Sequence, residues 1–283
     1  MSARFLDPEE AVALVEPGST VAVGGMQLTA APMTLVRGLI RRRVRIGRLV
    51  TSPSASLQAE LPIAAGLVDE IVSPYVGFEH LGLAPAFRRA AETGTLRILE
   101  IDEGSLTHAL HAGAGGIPFV PCPPGVDLTD IPRVDPELFR RVVDPFTGSE
   151  HWAVPAIRPD TTLLAGAVAD ERGNVALDRF PFTDREMALA ARRLIVEVEE
   201  VVPAGALADR APGTTLPSFL VDAVVVAPGG CHPTEYPERY GRDEAAIVDY
   251  LQLAKDPAGL EDRVAELVAE SEDAYRARRG GTS

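Results

Sequence analysis

Short apolar segments alternate with helix-forming segments along most of this chain, and this alternation constrains the fold more than any other feature. Strands are predicted at 21–23, 49–51, 68–72, 96–101, 162–169, 194–199 and 221–226. A spacing of about 20–25 residues between strands leaves room for a crossover helix, so neighbouring strands run parallel. The sequence therefore predicts an α/β fold: a doubly wound, mostly parallel sheet with helices on both faces and a helical C-terminal tail. Ligands of such sheets bind at the carboxyl ends of the strands.

Charge and composition exclude several classes of function. The chain has 283 residues and a formal net charge of −14, whereas a nucleic-acid-binding surface needs clustered Lys and Arg. No apolar run approaches the ~18 residues of a membrane span, and no basic and then apolar leader opens the chain. The two cysteines, Cys122 and Cys231, are too far apart in the sequence to suggest a disulfide framework. We therefore expect a cytoplasmic protein without nucleic-acid or membrane partners, folded as a single domain over residues 1–283.

Residues 113–160 depart from the regular alternation because Gly and Pro recur through them, as in Pro121-Cys122-Pro123-Pro124-Gly125. One short strand is predicted here, at 119–120, followed by a long ordered loop. Such a loop is usually either functional or a linker. The apolar content of the segment, which includes Phe139 and Trp152, favours an ordered structure.

The segment from Val21 to Pro32 places a glycine pair, Gly24-Gly25, between a buried strand and the helix that follows. A strand that ends in two glycines exposes backbone N–H groups to an approaching ligand. The N-terminus of the following helix adds partial positive charge, which favours an anionic oxygen. A tight strand-to-helix turn without a ligand fits the same local pattern, so both interpretations stay open at this point.

Four segments, in chain order, carry a resemblance to a known family. They are Gly24-Gly25-Met26 with Pro32, the run Ala112-Gly113-Ala114-Gly115-Gly116-Ile117-Pro118, the turn Gly173-Asn174-Val175, and Pro228-Gly229-Gly230-Cys231-His232-Pro233-Thr234. The set resembles the α subunits of class I CoA-transferases, in particular the glutaconate CoA-transferase branch with its relatives that open steroid rings by hydrolysis. The first segment departs from the family signature at Pro17, at Met26, where the family has Phe, and at Ala30, where it has a glycine.

The resemblance implies a CoA thioester as substrate, no bound cofactor, and a nucleophilic glutamate on a second polypeptide. In the family that glutamate lies in a Ser-Glu-Asn-Gly run of the β subunit, and its carboxylate attacks the acyl-CoA to form a mixed anhydride and then a glutamyl-CoA thioester. This chain has no Ser-Glu-Asn-Gly run, so we expect a β-subunit partner in an α2β2 assembly. The loop Gly24, Gly25, Met26 and Gln27 is then expected to form an oxyanion wall, through its backbone amides, that faces the partner's glutamate.

The run Asp102-Glu103-Gly104-Ser105 follows a strand end and opens a helix, which makes it the second candidate site. Helix capping by Asp102 or Ser105 explains the pattern without any function. The functional interpretation places Glu103 in the cleft as a general base or as a polar contact to the acyl group, with Ser105 lining the acyl pocket. In the steroid ring-opening relatives the catalytic carboxylate lies on the α subunit in a similar Asp-Glu-Gly setting. The role of Glu103 therefore distinguishes the transferase hypothesis from the hydrolase hypothesis.

Three hypotheses of function follow. The leading hypothesis is the α subunit of an acyl-CoA:carboxylate CoA-transferase that works by ping-pong kinetics. The second is the α subunit of a CoA-thioester ring-opening hydrolase in which Glu103 is catalytic. The third is a non-catalytic protein that binds anions or sugar phosphates on a related fold.

Other reactive side chains are assigned structural roles. His108 and His111 share one helix face without a third ligand at suitable spacing, so no metal site is expected. His232 follows a strand end and is interpreted as a residue that shapes an interface. The acidic residues that alternate along a predicted strand are interpreted as structural or interface residues; they are Glu197, Glu199 and Glu200.

Overall fold

The fold is that of a computed structural model, which describes residues 3–177, 181–210 and 215–280. The strands in these ranges are β1 (Arg4–Phe5), β2 (Thr20–Val23), β3 (Ile46–Thr51), β4 (Val68–Val72), β5 (Arg97–Leu99), β6 (Phe119–Pro121), β7 (Arg140–Val143), β8 (Glu150–Pro155), β9 (Thr161–Asp170), β10 (Val175–Ala176), β11 (Leu194–Val202), β12 (Thr215–Leu216) and β13 (Ala223–Val226). The α-helices are α1 (Pro8–Val12), α2 (Met33–Arg41), α3 (Leu57–Ala64), α4 (Pro85–Thr93), α5 (Glu103–Ala114), α6 (Ile131–Val134), α7 (Asp184–Ala190), α8 (Leu207–Arg210), α9 (Glu244–Leu253), α10 (Pro257–Ala269) and α11 (Glu272–Gly280).

In the described part of the chain, eight parallel strands form the main sheet in the order β1-β13-β11-β9-β2-β3-β4-β5. β10 pairs antiparallel with β9, and β12 pairs antiparallel with β10. The strands that follow β2 lie on one side of it, whereas β9 and the later strands lie on the other. The strand order therefore reverses between β2 and β9, which opens a crevice at their carboxyl ends. The predicted doubly wound, mostly parallel sheet is confirmed.

Local sequence explains where several elements begin and end. α1 is preceded by a capping box, in which Asp7 accepts the N–H of Glu10 and the Glu10 carboxylate accepts the N–H of Asp7. α4 ends at Gly94, whose φ of 68° is one that glycine adopts without strain. All residues of β9 are buried, because this central strand is covered on both faces.

Apolar side chains pack on both faces of the main sheet. On one face the helices α1, α2, α3, α4 and α10 form a cluster with strand residues such as Leu49. On the other face α5 and α7 form a second cluster, in which Leu106 and Met187 pack with Val50. Leu49 and Val50 are adjacent in β3 and contribute to opposite faces, because side chains alternate along a strand. Helices therefore cover both faces, as predicted.

Residues 113–160 correct the sequence prediction. In place of one strand and a long loop, this segment holds a three-stranded antiparallel sheet in the order β6-β8-β7. The guanidinium of Arg141 in β7 lies 4.3 Å from the ring centroid of Trp152 in β8. This sheet is not evident from the sequence, because its short strands lack the apolar pattern of a buried strand. They carry charged residues, and two of them end in Pro121 and Pro155.

The C-terminal tail is helical, as predicted, and consists of α9, α10 and α11. Asp243 caps α9 by accepting the N–H of Ala246, and Asp256 caps α10 by accepting the N–H of Gly259. Among the described residues, no helix has the length and apolar character needed to cross a membrane. That residues 1–283 form a single domain stays a prediction.

Candidate active site at the carboxyl edge of the sheet

Four segments lie at the carboxyl edge of the sheet, beside the point where the strand order reverses. They are loop 24–31 after β2, loop 52–56 after β3, loop 73–77 after β4, and the start of α5 after β5. Backbone hydrogen bonds join the first three: Gln27 N–H donates to Ser54 O at 2.8 Å, and Ala55 N–H donates to Tyr75 O at 2.9 Å. These loops therefore form one connected wall.

Residues 26–29 form a two-residue hairpin turn in this wall. Met26 and Thr29 exchange both backbone hydrogen bonds, at 2.9 Å each, and Gln27 and Leu28 lie at the tip. Gln27 has a φ of 53° and Ala30 a φ of 51°, in the left-handed region that favours glycine. Leu28 is fully buried, whereas Gln27 is partly exposed. The turn therefore presents one side chain outward and anchors the next in the core.

A serine run after β3 holds the carbonyl groups of the glycine loop. Ser52 Oγ donates to Gly25 O, and Ser56 Oγ donates to Gln27 O. Ser54 Oγ is buried and has no hydrogen-bond partner among the described residues. A buried hydroxyl without a partner is costly unless a water or another molecule satisfies it, so its place behind the turn is consistent with a ligand site.

The backbone N–H groups predicted to form an oxyanion wall all have acceptors within the chain. Gly24 donates to Leu163 O (3.0 Å), Gly25 to the Asp184 carboxylate (3.0 and 3.3 Å), Met26 to Thr29 O (2.9 Å) and Gln27 to Ser54 O (2.8 Å). A substrate oxyanion can bind one of these donors only by replacing its internal acceptor. The Asp184 side chain is the acceptor most easily replaced, since the other three are backbone carbonyls. The oxyanion role of Gly24, Gly25, Met26 and Gln27 stays a prediction.

Asp184 is a site residue that the sequence does not reveal. It is the first residue of α7, and its buried carboxylate accepts the N–H of Gly25. A Cβ on Gly24 would lie 2.5 Å from Asp184 Oδ1 and closer still to a Leu164 methyl group, so a side chain cannot fit there. Close packing against Asp184 therefore explains the first glycine of the pair. No local pattern indicates the hydrogen bond between Gly25 and Asp184, because these two residues are 159 positions apart.

The second candidate site is the start of α5. Asp102 caps this helix by accepting the N–H of Ser105 at 2.9 Å, which confirms the capping interpretation for Asp102. Glu103 is the first helical residue and is exposed, and among the described residues its carboxylate has no hydrogen bond or ion pair. Ser105 is fully buried next to Cys122. Burial raises the pKa of the Cys122 thiol, and the proximity of the Ser105 hydroxyl opposes that rise.

The structure places the two candidate sites on the same edge without bringing them into contact. β3 and β4 lie between them, and at about 4.8 Å per strand the ends of β2 and β5 are roughly 14 Å apart. A ligand that contacted both the turn and Glu103 would extend across the ends of β3 and β4. The roles predicted for Glu103 and Ser105 stay predictions.

The histidines have contacts that need no ligand. His108 contacts a backbone carbonyl oxygen at 3.3 Å, and His111 lies 3.9 Å from a carboxylate. His232 Nδ1 is 2.7 Å from Tyr275 Oη, and its Nε2 is 3.0 Å from Asp243 Oδ2. Within 3–177, 181–210 and 215–280, no group of three or more His, Cys, Asp or Glu side chains is arranged to hold a metal ion.

The acidic residues of β11, which are interpreted from the sequence as structural or interface residues, all have partners within the chain. Glu197 accepts the N–H of Leu35, Glu199 accepts the Tyr240 hydroxyl, and Glu200 forms an ion pair with Arg239. Each contact joins β11 to another part of the chain. These carboxylates therefore hold the fold around the crevice rather than facing a ligand.

A cavity of about 550 Å³ lies away from the carboxyl edge, between α1, the end of α2 and the helices α10 and α11. Its walls include Arg41, which forms ion pairs with Glu9 at 2.7 Å and with Glu272 at 3.2 Å. No residue of the edge loops lines it. This cavity belongs to the ion-pair network that anchors α11 and not to the candidate active site.

A sequence model of the family described as coenzyme A transferase matches residues 5–227. The chain belongs to the coenzyme A transferase family. The matched residues include both the glycine loop and the start of α5. The family predicted from the sequence is therefore confirmed.

The relatives of this member of the coenzyme A transferase family are named for different activities. The cholesterol ring-cleaving hydrolase IpdA subunit of Rhodococcus jostii is 33% identical over 95% of this chain and 93% of its own length. A 3-oxoadipate CoA-transferase subunit from Pseudomonas knackmussii is 34% identical over 90% of this chain and 89% of its own length. An uncharacterised protein of Archaeoglobus fulgidus is 32% identical over 93% of this chain, which spans 58% of that relative.

Solved structures extend the comparison. A variant of the decarboxylase AibA/AibB matches 94% of this chain and 100% of its own, with a TM-score of 0.82 and 36% identity. Glutaconate CoA-transferase from Acidaminococcus fermentans matches 99% of this chain and 94% of its own, with a TM-score of 0.90 and 24% identity. The match to glutaconate CoA-transferase, at 24% sequence identity, shows that the two proteins share a fold. The predicted class I CoA-transferase fold is confirmed.

Proposed function

We propose that this chain is the α subunit of an acyl-CoA:carboxylate CoA-transferase that works with a β subunit in an α2β2 cytoplasmic assembly. The observation that carries the proposal is that the edge forms half of a site. The turn at residues 26–29 is fixed and polar, but the carboxylates of Asp184 and Glu235, which contact loop 24–31, are already bound to the Gly25 N–H and the Thr29 hydroxyl. Relatives of similar length are named as single subunits of CoA-transferases, which supports a second polypeptide as the source of the nucleophile.

The proposed chemistry divides between the two polypeptides. A glutamate of the partner chain attacks the thioester carbonyl and the C–S bond breaks. The CoA thiolate departs, and the acyl group is now joined to the glutamate as a mixed anhydride. The thiolate then attacks the glutamyl carbonyl, which releases the first carboxylate and leaves CoA on the glutamate as a thioester. A second carboxylate reverses both steps, so CoA moves without hydrolysis and no bound cofactor is needed. This chain supplies the wall against which the acyl group is held and, where Asp184 releases it, the Gly25 N–H as an oxyanion donor.

The first prediction is that activity requires both polypeptides. The chain should be purified alone and together with the product of the neighbouring reading frame, and CoA transfer from acyl-CoA to acetate measured for each. We expect that only the complex transfers CoA and that the single chain does not, because the nucleophile lies on the partner. Mass spectrometry after incubation with acyl-CoA should find a CoA adduct on the partner chain. Full activity of the single chain, or an adduct on this chain, would contradict the proposal, and the mass of the complex tests the α2β2 stoichiometry.

A ring-opening hydrolase is the second candidate function, and one observation favours it. Glu103 presents an exposed carboxylate without a partner among the described residues, at the same edge as the turn. The relative from Rhodococcus jostii named as a ring-cleaving hydrolase subunit is similar over almost the whole chain. The non-catalytic hypothesis has no comparable support, since the relatives that are named for a function are enzyme subunits.

The second prediction concerns Glu103→Gln, assayed in the complex. Under the transferase proposal Glu103 is not the nucleophile, so CoA transfer by the variant stays within about threefold of the wild type, the range of a weak polar contact. Under the hydrolase alternative the turnover of the variant falls by about 10²- to 10⁴-fold, as expected when a general acid or base is removed. Glu100→Gln, which changes another exposed carboxylate three residues earlier, is the matched control and should be neutral in both cases.

A further inference from the structure

Gln27 has a backbone conformation that glycine would adopt at lower cost. Its φ is 53°, and it is the first central residue of the two-residue turn between Met26 and Thr29, where a positive φ favours glycine. Ala30 and Phe182, near the same edge, are also non-glycine residues with a positive φ. Strained residues of this kind cluster at functional sites, where the side chain is needed despite the strain.

The backbone of the turn is held from two sides and cannot relax. Gln27 N–H donates to Ser54 O at 2.8 Å, and Gln27 O accepts the Ser56 hydroxyl. On the opposite side Glu235 N–H donates to Leu28 O at 2.9 Å. Both backbone polar groups of Gln27 are therefore used within the chain, which leaves only its side chain for a ligand.

The Gln27 side chain is suited to bind an oxygen atom. It is partly exposed, and among the described residues its carboxamide has no hydrogen-bond partner. The carboxamide carries two N–H donors and one carbonyl acceptor. An alkyl group placed against it would displace water and leave these donors unsatisfied, whereas a carboxylate would accept a charge-assisted hydrogen bond from them.

We propose that Gln27 is a specificity-determining residue, whose carboxamide binds a second carboxylate on the acyl group of the CoA thioester. This inference rests on the proposed function. The turn fixes the Cα of Gln27 at the crevice where the strand order reverses, so that the side chain contacts the acyl group. The reaction at the thioester is carried out by the partner's glutamate. The complex should accordingly prefer a dicarboxylic acyl-CoA to the alkyl acyl-CoA of the same length.

The test compares Gln27→Gly with Ala30→Gly in the co-purified complex. The probes are paired by carbon number, butyryl-CoA with succinyl-CoA and hexanoyl-CoA with adipoyl-CoA, with acetate as acceptor. For Gln27→Gly we expect the ratio of kcat/KM, dicarboxylic over alkyl, to fall by about 10- to 100-fold, the value of a charge-assisted hydrogen bond. The thermal midpoint of this variant should be unchanged or higher, because glycine relieves the left-handed strain. Ala30→Gly removes a residue of nearly the same φ and should leave the ratio unchanged.

Each outcome decides the inference. An unchanged ratio in Gln27→Gly, or an equal loss on both members of a pair, overturns it while transfer by the wild-type complex upholds the proposed function. A wild-type complex that transfers CoA from none of the four probes overturns both. If Gln27→Gly yields no complex, Gln27→Asn replaces it, since Asn tolerates a positive φ and keeps a shorter carboxamide. A lower ratio in that variant then supports the inference, and an unchanged ratio overturns it.

Discussion

Replacing Glu272 by Ala is expected to lower the free energy of unfolding by about 3–5 kcal/mol, the usual cost of breaking a buried ion pair by removing one partner. Glu272 lies in α11, and its carboxylate binds the guanidinium of Arg37 in α2, with Nη2–Oε1 at 2.5 Å and Nε–Oε2 at 3.0 Å. The side chains of Arg37 and Glu272 are 2% and 8% exposed. Without Glu272 the Arg37 charge stays buried with its main counterion gone. Urea denaturation at pH 7 measures the difference.

Two variants separate this interpretation from a general effect of altering α11. Asp273→Ala removes the adjacent, exposed carboxylate in the same helical turn and should cost only a few tenths of a kcal/mol. The double variant Arg37→Met with Glu272→Met should recover much of the loss, because an apolar pair removes the uncompensated charge. A double variant no more stable than Glu272→Ala would show that the other contacts of Arg37, such as its stacking at 3.9 Å from the Tyr275 ring centroid, matter more than the ion pair.

The parallel sheet could be predicted because each buried strand carries its own apolar segment. The central strand β9 is buried along its whole length and apolar from Leu163 to Ala169, so the sequence indicates it without any knowledge of its neighbours. The sheet of β6, β7 and β8 could not be predicted in this way. Its strands are short and partly charged, and they are recognisable only through their pairing with one another.

The candidate site was predictable as a location but not as a set of contacts. The glycine pair and the order of strands and helices placed loop 24–31 at the carboxyl edge. The roles of Asp184 and Ser56 depend on where distant loops meet, as does the left-handed conformation of Gln27. The family resemblance could not supply these either, because it assigned the amides of the loop to a ligand, whereas the structure pairs them within the chain.

The charged cluster around Arg37 contains a second carboxylate with the opposite titration behaviour. Burial by itself raises the pKa of Glu272, but the hydrogen bond and charge of Arg37, together with Arg41, lower it overall. Burial raises the pKa of Glu197 to about 8, although the N–H of Leu35 and the charge of Arg37 oppose the rise. Arg37 is therefore neutralised by Glu272, and Glu197 is protonated at neutral pH.

We expect this protonation to make stability fall as the pH rises from 4.5 to about 8. The ordinary pKa of Glu197 is 4.5 and its folded value is about 8, so between them the folded state binds one proton more than the unfolded state. Each pH unit in this window then removes about 1.4 kcal/mol of stability. This contribution is complete below pH 4.5 and is lost as the pH rises through the folded pKa.

Glu197→Gln tests this dependence, because Gln keeps the acceptor for Leu35 N–H and cannot ionise. Urea denaturation of both proteins at several values between pH 5 and pH 9 gives the difference in unfolding free energy. That difference should grow in favour of the variant up to about pH 8 and then level off. Subtraction removes the contribution of Glu60, whose pKa is also raised by burial. A constant difference that favours the wild type would mean that Glu197 is ionised and shares Arg37 with Glu272, and Gln would then weaken the cluster at every pH.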